Sequence, residues 1–319
     1  MSGDLRAAVI GVGYLGRWHA EKFAAMEGVE LLGVVDIDPE RAAEVSAQVG
    51  APAFADHRQI IDRVDLVSIA VPTGQHFTVA RDFLAAGRHV LLEKPMTRTL
   101  AEADALIELA TAKQVVLQVG HLERFNQAVL ALQGVVREPR IVFSHRLAPY
   151  RARGADVSVV LDLMIHDIDI VLQTVGSTIE AVESVGCVGP SGRTDIANAR
   201  LRFANGCVAN ITASRVSDET MRKFRVYGDD IVASVDCQAR RIALCGCVAD
   251  SGHDDRLGSL EQTFAPGDPL LDEIASFVAA VREGRPPLVS GDDGRRALEV
   301  ALRIESCLGS GRGREGLNA

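Results

Sequence analysis

A glycine motif between a short strand and a helix most constrains the fold of this chain. Residues 6–10 are an apolar run typical of a buried strand, and the run GVGYLG at residues 11–16 places three glycines at G-x-G-x-x-G spacing before a helical pattern. A second apolar strand, Leu31–Val35, ends at Asp36. This order of strand, glycine turn, helix, strand and acid predicts the dinucleotide-binding half of a Rossmann fold.

Each residue of this motif has a physical task. Gly11 would make the tight turn, Gly13 would let backbone N–H groups approach a pyrophosphate, and Gly16 would let the helix pack against the strand. Asp36 can accept hydrogen bonds from the adenosine ribose hydroxyls and would repel a 2′-phosphate. We therefore predict NAD rather than NADP as the cofactor, with Arg41 as the one nearby cation that argues for NADP.

Strands and helices go on alternating as far as residue 120, which predicts a doubly wound parallel sheet. Ligands bind such sheets beyond the carboxyl ends of the strands. The motifs that follow these strand ends should therefore lie along one edge of the sheet. The predicted cofactor-binding residues are Gly11, Gly13, Tyr14, Leu15, Gly16, Asp36, Ile37, Val71, Thr73, His76, Glu93 and Lys94.

The second half of the chain has a different pattern. A crossover helix is predicted over Leu122–Leu132, and several strands with short turns follow, among them a hairpin at Asn205-Gly206. The fold class predicted is α/β, with an N-terminal Rossmann doubly wound parallel sheet and a C-terminal α+β domain that has an open, largely antiparallel sheet. The predicted boundaries are 1–120 for the NAD-binding domain, 121–308 for the substrate-binding and oligomerisation domain, and 309–319 for a disordered tail. Residues 251–259 are predicted to be a solvated loop.

Composition limits the possible partners. The 319 residues include 34 Lys and Arg against 43 Asp and Glu, a net charge of −9, which disfavours nucleic acid or an anionic membrane. The N-terminus lacks a secretory pattern, and apolar runs stay short of the roughly 20 residues that span a bilayer. The six cysteines include no C-x-x-C pair, which favours reduced thiols. A cytoplasmic location is the expectation.

Two polar features interrupt apolar segments. Lys94 ends a buried strand before Pro95, and the run VVLDLMIHDIDI at 159–170 places Asp162, His166 and Asp169 near one face if it is helical. Such groups are costly to bury unless they are paired or act chemically. A core histidine and a lysine that reaches solvent are the structural alternatives. A zinc site made by Asp162, His166 and His121 is another alternative, and we predict no metal because a dinucleotide would already supply the redox chemistry.

Together these motifs resemble the Gfo/Idh/MocA family of oxidoreductases. The resemblance rests on G-x-G-x-x-G, on P-T-x-x-H with Thr73 and His76, on Glu93-Lys94-Pro95, and on D-x-x-x-H with Asp162 and His166. The chain departs from the usual D-x-G-x-H-x-x-D because Met164 replaces the internal glycine. In this, and in the run GHLERFN at 120–126, it resembles the subgroup that oxidises the 3-hydroxyl of UDP-N-acetylglucosamine. The UDP-N-acetylglucosaminuronate 3-dehydrogenases are close neighbours of that subgroup.

The resemblance implies an NAD-dependent sugar dehydrogenase that feeds a partner aminotransferase in lipid A biosynthesis, and a homo-oligomer, either dimer or tetramer. Lys94, His166 and Asp162 would be catalytic, and either Lys94 or His166 would accept the proton. The sequence leaves open a dehydrogenase of inositol or another sugar, and a non-catalytic NAD-binding sensor. Four arginines are candidates for the diphosphate. The predicted substrate-binding residues are His121, Arg124, Asn126, Arg151, Arg153, Asp162, His166 and Arg215.

Overall fold

A computed structural model describes residues 4–150, 157–247 and 257–311 of the chain. The described residues divide into two compact units. The first unit contains residues up to 122 together with 268–296, and the second contains 123–267 together with the residues from 297 onwards. Among the described helices, none has both the length and the apolar character that a membrane span requires.

The first unit is built on a six-stranded parallel sheet in the order β3-β2-β1-β4-β5-β6. This order is that of the Rossmann fold, which confirms the predicted doubly wound sheet. The strands are β1 (Leu5–Ile10), β2 (Val29–Val35), β3 (Ala53–Phe54), β4 (Leu66–Ile69), β5 (His89–Glu93) and β6 (Leu117–Gly120). The helices of this part are α1 (Gly16–Ala25), α2 (Pro39–Val49), α3 (Thr73–Ala85) and α4 (Leu100–Lys113).

The helix ends of the first unit follow local sequence signals. Asp38 caps α2 because its Oδ1 accepts the backbone N–H groups of Glu40 and Arg41 at 3.1 and 3.2 Å. Thr99 and Glu102 form a capping box at the start of α4. These caps fix the residues at which α2 and α4 begin. The carboxyl ends of the parallel strands lie at one edge of the sheet.

The second unit carries an eight-stranded mixed sheet in the order β14-β13-β12-β11-β7-β10-β9-β8. All neighbouring strands are antiparallel except β7 and β10, which are parallel. The strands are β7 (Ile141–Leu147), β8 (Ile179–Val188), β9 (Thr194–Phe203), β10 (Val208–Ser214), β11 (Met221–Tyr227), β12 (Ile231–Asp236), β13 (Arg241–Cys247) and β14 (Leu257–Thr263). This confirms the open, largely antiparallel sheet.

Some predicted elements differ in the structure. The predicted crossover helix is two short pieces, a 3₁₀ turn at Leu122–Phe125 and α5 (Gln127–Leu130), because Asn126 between them caps α5. Residues 257–259, predicted to be loop, begin β14, which pairs with β13. Residues 251–256, with the rest of that predicted loop, lie outside the described part of the chain. The predicted tail begins three residues too early, since α8 (Gly291–Gly311) includes residues 309–311.

The two closing helices were predicted to belong wholly to the second domain, but the structure divides their residues between the two units. The helix α7 (Pro269–Glu283) begins at the cap Asp268 and ends at Gly284, which has φ +62°. Its buried residues Ile274, Phe277 and Val278 pack in the same apolar cluster as the Rossmann strands and α1. Residues 268–296 therefore group with the first unit. Residues from Ala297 onwards contribute to the apolar cluster of the second.

Candidate active site

The turn between β1 and α1 requires glycine at two positions. Gly11 has φ +84°, and a Cβ there would lie 2.7 Å from the backbone nitrogen of Val71. A Cβ on Gly16 would lie 1.8 Å from the carbonyl oxygen of Gly11. Larger residues would therefore push the helix away from the strand, as the glycine motif predicts.

The middle of the same turn leaves room for a ligand. A Cβ on Gly13 would meet nothing within 4 Å among the described residues. Leu15, at the N-cap position of α1, provides no side-chain cap for the N–H groups of the first turn in this described segment. Uncapped N–H groups at a helix N-terminus favour phosphate. The turn therefore fits the pyrophosphate of a dinucleotide.

Aromatic and cationic side chains flank this turn. Tyr14 is 56% exposed, and the guanidinium of Arg17 lies 5.4 Å from its ring centroid and 4.8 Å from that of Trp18. No sequence motif singled out Arg17. Its position one residue beyond Gly16 places a cation beside the turn, and the aromatic rings hold that cation in place.

Asp36 is buried at the carboxyl end of β2 and is fixed by the backbone. Its Oδ2 accepts the N–H of Val12 at 2.9 Å, and its Oδ1 accepts the N–H of Asp38 at 3.0 Å. Arg41 lies 3.6 Å from Asp36 and 3.2 Å from Asp38, so the cation that argued for NADP is paired with both acids. Ile37, beside Asp36, is 81% exposed. This arrangement fits an unphosphorylated ribose and hence NAD.

His76 has a different role from the predicted contact with the cofactor. It lies in α3, which begins at Thr73, and its ring is buried. Its Nε2 lies 2.8 Å from the carbonyl oxygen of Val71, and its Nδ1 lies 3.0 Å from that of Pro95. Burial lowers the pKa of this imidazole, against the effect of the two carbonyls. His76 therefore joins the end of β4 to the segment that follows Lys94.

Glu93 and Lys94 stand at the carboxyl end of β5. The Lys94–Pro95 peptide bond is cis, and Lys94 is half-buried. The Glu93 carboxylate accepts the backbone N–H of Lys94 at 3.2 Å and lies 3.2 Å from His19 Nε2. Burial raises the pKa of Glu93, but its hydrogen bond with His19 and the charges of His19 and Lys94 outweigh burial and lower it. Glu93 is therefore an anion beneath Lys94, buried rather than facing a ligand.

His19, in α1, is buried and makes polar contacts on both sides of its ring. Its Nδ1 lies 2.8 Å from the hydroxyl oxygen of Ser68, opposite the nitrogen that approaches Glu93. Next to Glu93, a Cβ on Gly120 would come within 3.0 Å of the carboxyl carbon. His121, which follows Gly120 at the end of β6, is 1% exposed. The strand ends of the first unit thus gather one glycine turn, two acids and Lys94 along one edge.

In the second unit, the run 159–170 begins with an irregular turn. Val160–Met164 is one turn of π-helix, and α6 (Ile165–Val175) continues from it. Asp162 lies in the π-turn and His166 in the first turn of α6, and both side chains are half-buried. Single π-turns within helices occur often at functional sites. The turn also changes the angular spacing of 162 and 166 from the α-helical spacing that the prediction used.

The predicted third member of this face, Asp169, is instead part of the core. It is 2% exposed and accepts Nε and Nη2 of Arg124 at 2.7 and 2.8 Å. The sequence placed Asp169 on one face with Asp162 and His166, but in the structure this bidentate pair occupies its carboxylate. Arg124, predicted to bind the diphosphate, is held in the same pair with its side chain 5% exposed.

A second buried ion network lies beside the first. Arg146 contacts Asp167 at 2.6 Å and Glu123 at 3.2 Å, and Arg222 contacts the same oxygen of Glu123 at 3.2 Å. Ser144 donates its hydroxyl to Asp167 at 2.7 Å. Burial raises the pKa of Glu123, but the charges of Arg146 and Arg222 outweigh this effect and hold it below its ordinary value. The network attaches α6 to β7.

Two more predicted substrate-binding residues are engaged within the second unit. Asn126 donates to the carbonyl oxygen of Cys237 at 2.9 Å and accepts the N–H of Ala128 at 3.1 Å. Arg215 is 4% exposed and donates to the carbonyl oxygen of Val157 at 2.8 Å. These contacts give both residues structural roles. Arg151 and Arg153 lie outside the described residues.

Comparison with known proteins identifies the family. Residues 5–121 match the oxidoreductase family with NAD-binding Rossmann fold, GFO_IDH_MocA, and residues 129–233 match the GFO/IDH/MocA C-terminal domain. The chain therefore belongs to the GFO/IDH/MocA oxidoreductase family. It is an NAD-dependent dehydrogenase, as the glycine turn and Asp36 predict.

Individual relatives cover almost the whole chain. A UDP-N-acetylglucosamine 3-dehydrogenase of Acidithiobacillus ferrooxidans is 40% identical over 94% of this chain and 96% of its own length. Its crystal structure superposes with a TM-score of 0.91 at 38% identity, covering 96% of this chain and 98% of that one. A myo-inositol 2-dehydrogenase of Thermotoga maritima is 29% identical over 95% of this chain and 96% of its own length. Levoglucosan dehydrogenase with NADH shares the fold, with a TM-score of 0.86 at 22% identity, covering 96% and 97% of the two chains.

Proposed function

We propose that this protein oxidises the 3-hydroxyl of UDP-N-acetylglucosamine to the 3-keto sugar, with NAD as the hydride acceptor. One observation carries the proposal, namely the 40% identity to a UDP-N-acetylglucosamine 3-dehydrogenase over 94% of the chain. The residues of the glycine turn and Asp36 support NAD as the acceptor. Retention of Lys94, Asp162 and His166 favours a working enzyme over a non-catalytic sensor.

When bound, NAD accepts the hydride that leaves the sugar carbon. The task of Lys94 is to donate a hydrogen bond to the oxygen as negative charge develops on it. Glu93 keeps the backbone of Lys94 in place through the 3.2 Å contact with its N–H. His166 would receive the hydroxyl proton, and Asp162 would set the orientation of the imidazole. Acid/base and electrostatic contributions of this kind are each typically worth ~10² or more in rate.

The diphosphate requires cations, and we propose Arg151 and Arg153 for that role. We do not assign this role to Arg124 or Arg215, because both are buried. The guanidinium group of Arg124 contacts Asp169, and that of Arg215 contacts the carbonyl oxygen of Val157. His121 stays a candidate substrate contact at the end of β6. The remaining contacts proposed for the sugar are Asp162 and His166.

We further propose that the enzyme is a homo-oligomer, a dimer or a tetramer. The outward face of the eight-stranded sheet bears Ile141, Phe143 and Ile196, which are 42%, 39% and 39% exposed. The ring of Phe143 lies 6.0 Å from that of Tyr227, at the wall of a groove of about 480 Å³. Exposed apolar side chains of this kind, here beside His145, Lys223 and Arg225, favour coverage of the sheet face by a second copy.

The cellular setting follows from the same proposal. A 3-keto nucleotide sugar is a substrate for an aminotransferase, which would place this enzyme before amination of the sugar in lipid A biosynthesis. The proposed location is the cytoplasm, as the cysteine pattern predicts. The aminotransferase is a functional partner in this scheme, sharing a metabolite with the enzyme.

The test is formation of NADH by the pure protein with NAD and UDP-N-acetylglucosamine. A ketone trap, or an aminotransferase with its amino donor, removes product and prevents an unfavourable equilibrium from hiding turnover. UDP-glucose, N-acetylglucosamine and myo-inositol serve as comparison substrates under the same conditions. We expect NADH with UDP-N-acetylglucosamine, and turnover of another sugar alone would overturn the substrate assignment.

A second candidate is a dehydrogenase of inositol or of another sugar without a diphosphate. The burial of Arg124 and Arg215 favours it, as does the 29% identity to a myo-inositol 2-dehydrogenase. A comparison of kcat/KM for two substrates distinguishes the two candidate functions. Higher kcat/KM for UDP-N-acetylglucosamine than for N-acetylglucosamine supports the nucleotide sugar, and the reverse order supports this second candidate.

A further inference from the structure

A buried acid in α7 has no evident role in the fold or in the dinucleotide site. Glu273 is 0% exposed, and neither of its carboxyl oxygens accepts a hydrogen bond from a described residue. Its neighbours on α7, Ile274 and Phe277, are apolar core residues. An isolated buried carboxylate would be very costly, so this group needs a charge partner or a proton.

The carboxyl of Glu273 belongs to a polar cluster within the first unit. One atom from each of His19, Glu93 and Glu273 lies within 4.8 Å of the others, and all three side chains are buried. His19 is held from its other side by Ser68, at 2.8 Å. The side-chain amide of Gln118 donates to the backbone carbonyl of Glu273 at 3.2 Å, which fixes this turn of α7 against β6.

The negative charge of this cluster already resides on Glu93. That carboxylate accepts the N–H of Lys94 at 3.2 Å and lies 3.2 Å from His19 Nε2, and Lys94 and His76 also stabilise its charge. Two adjacent carboxylates in a buried site cannot both ionise, so the second keeps its proton. Burial and the charge of Glu93 both raise the pKa of Glu273 well above its ordinary value.

We propose that Glu273 is a neutral carboxylic acid that donates its O–H to Glu93 and acts as a positioning residue for Lys94. The donated proton keeps Glu93 singly charged and oriented, with its free acceptor directed at the N–H of Lys94. Glu273 thereby fixes the charge and direction of the segment that carries Lys94, without touching substrate or cofactor. The positioning role rests on the proposed function, whereas the protonation state does not.

Infrared spectroscopy tests the protonation state independently of activity. A protonated carboxyl has a C=O stretching band at higher frequency than the bands of a carboxylate. In wild type at neutral pH we expect this band, and we expect Glu273→Gln to remove it. The matched control is Glu283→Gln, on the same helix with its side chain 59% exposed, which should leave the band intact. A spectrum in which Glu273→Gln removes no such band would overturn the proposal.

Metal analysis is a second test of the protonation state. It is needed because His19, Glu93 and Glu273 are residue types that bind divalent cations. The protein should contain no stoichiometric divalent metal after purification without chelators. A bound metal in wild type that is lost in Glu273→Gln would overturn the proposal, since the cation rather than a proton would then neutralise the cluster.

The positioning role is tested by the pH–rate profile of NADH formation. Glu273→Gln keeps a neutral donor and should retain the wild-type profile and at least a third of kcat. Glu273→Leu removes the donor and favours protonation of Glu93, so the acid limb of the profile should move to higher pH by about one unit, with kcat affected more than KM for NAD. Wild-type profiles in both variants would overturn the positioning role. If no protein preparation forms NADH with any sugar, the proposed function fails, while the infrared result still decides the state of Glu273.

Discussion

Arg124 donates Nε and Nη2 to the two carboxylate oxygens of Asp169 at 2.7 and 2.8 Å, with both side chains no more than 5% exposed. Arg124, which was predicted to bind the substrate, and Asp169, which was predicted to share a face with Asp162 and His166, therefore neutralise each other inside the second unit. The pair connects the 3₁₀ turn at Leu122–Phe125 to α6, which also carries His166. Its contribution to function is to hold α6 in place.

Breaking this pair should cost stability. Asp169→Asn leaves the Arg124 charge buried without its counterion, and we expect the free energy of unfolding to fall by about 3–5 kcal/mol in urea titrations. The matched control is the exposed pair of Arg140 and Asp229, which are 2.9 Å apart with side chains 52% and 63% exposed. Asp229→Asn should cost far less, because solvent screens an exposed ion pair. If the free energy of unfolding fell equally in the two variants, the buried pair would stabilise the fold no more than the exposed pair does.

Lys94 should matter far more for turnover than for the affinity for NAD, although it was also predicted to contact the cofactor. Lys94→Met removes the hydrogen-bond donor proposed for the developing alkoxide, and we expect kcat/KM for the sugar to fall ~10²-fold or more. The Kd for NAD, measured by calorimetry, should change less than about threefold, a free-energy change of ~0.6 kcal/mol. Lys113→Met, at the exposed end of α4, is the control and should behave as wild type. Near-normal turnover by Lys94→Met would remove Lys94 from the mechanism.

The carboxylate of Asp36 should set the preference for NAD. Asp36→Ser removes the charge that repels a 2′-phosphate and frees Arg41 from one of its two acidic partners. The ratio of kcat/KM for NAD to that for NADP should fall at least about tenfold, or ~1.4 kcal/mol. Glu44→Gln, exposed on the same helix, should leave the ratio unchanged. An unchanged ratio in Asp36→Ser would mean that another residue selects the cofactor.

The sequence was most informative where function depends on local order along the chain. Strand ends, glycine turns and caps are encoded within a few residues, so the Rossmann sheet, Asp36 and the Glu93-Lys94 segment were predictable. Asn205-Gly206 likewise predicted the hairpin between β9 and β10.

The errors arose where distant residues meet. Arg124 and Asp169 are 45 residues apart, and Arg215 reaches the carbonyl of Val157 across 58 residues. Only the fold reveals that such cations already have partners. The π-turn at Val160–Met164 was also missed, because the prediction assumed α-helical spacing throughout this run. The signal for Glu273 was present as a single acid within an apolar helix face, the same signal that singled out Asp162 and His166.

The outward sheet face offers a prediction about assembly. Phe143→Asp places a charge in the exposed groove beside Tyr227, without touching the buried alternate residues of β7. We expect the mass measured by light scattering to fall to that of a smaller oligomer or of the monomer. Glu180→Gln, on the edge strand β8, is a control that should keep the wild-type mass. A wild-type protein that is monomeric at high concentration would contradict the proposed homo-oligomer directly.

The raised pKa of Glu273 predicts a specific dependence of stability on pH. Folding keeps a proton on Glu273 that the unfolded chain loses above its ordinary pKa. The stability linked to this proton is fully present below the ordinary pKa of glutamate and is lost as pH rises through the raised pKa of the folded state. Each pH unit within that window should cost about 1.4 kcal/mol in wild type relative to Glu273→Gln, which has no proton to lose. Thermal unfolding at successive pH values should therefore show Tm falling more steeply in wild type, whereas parallel curves for the two proteins would show that Glu273 is ionised in the fold.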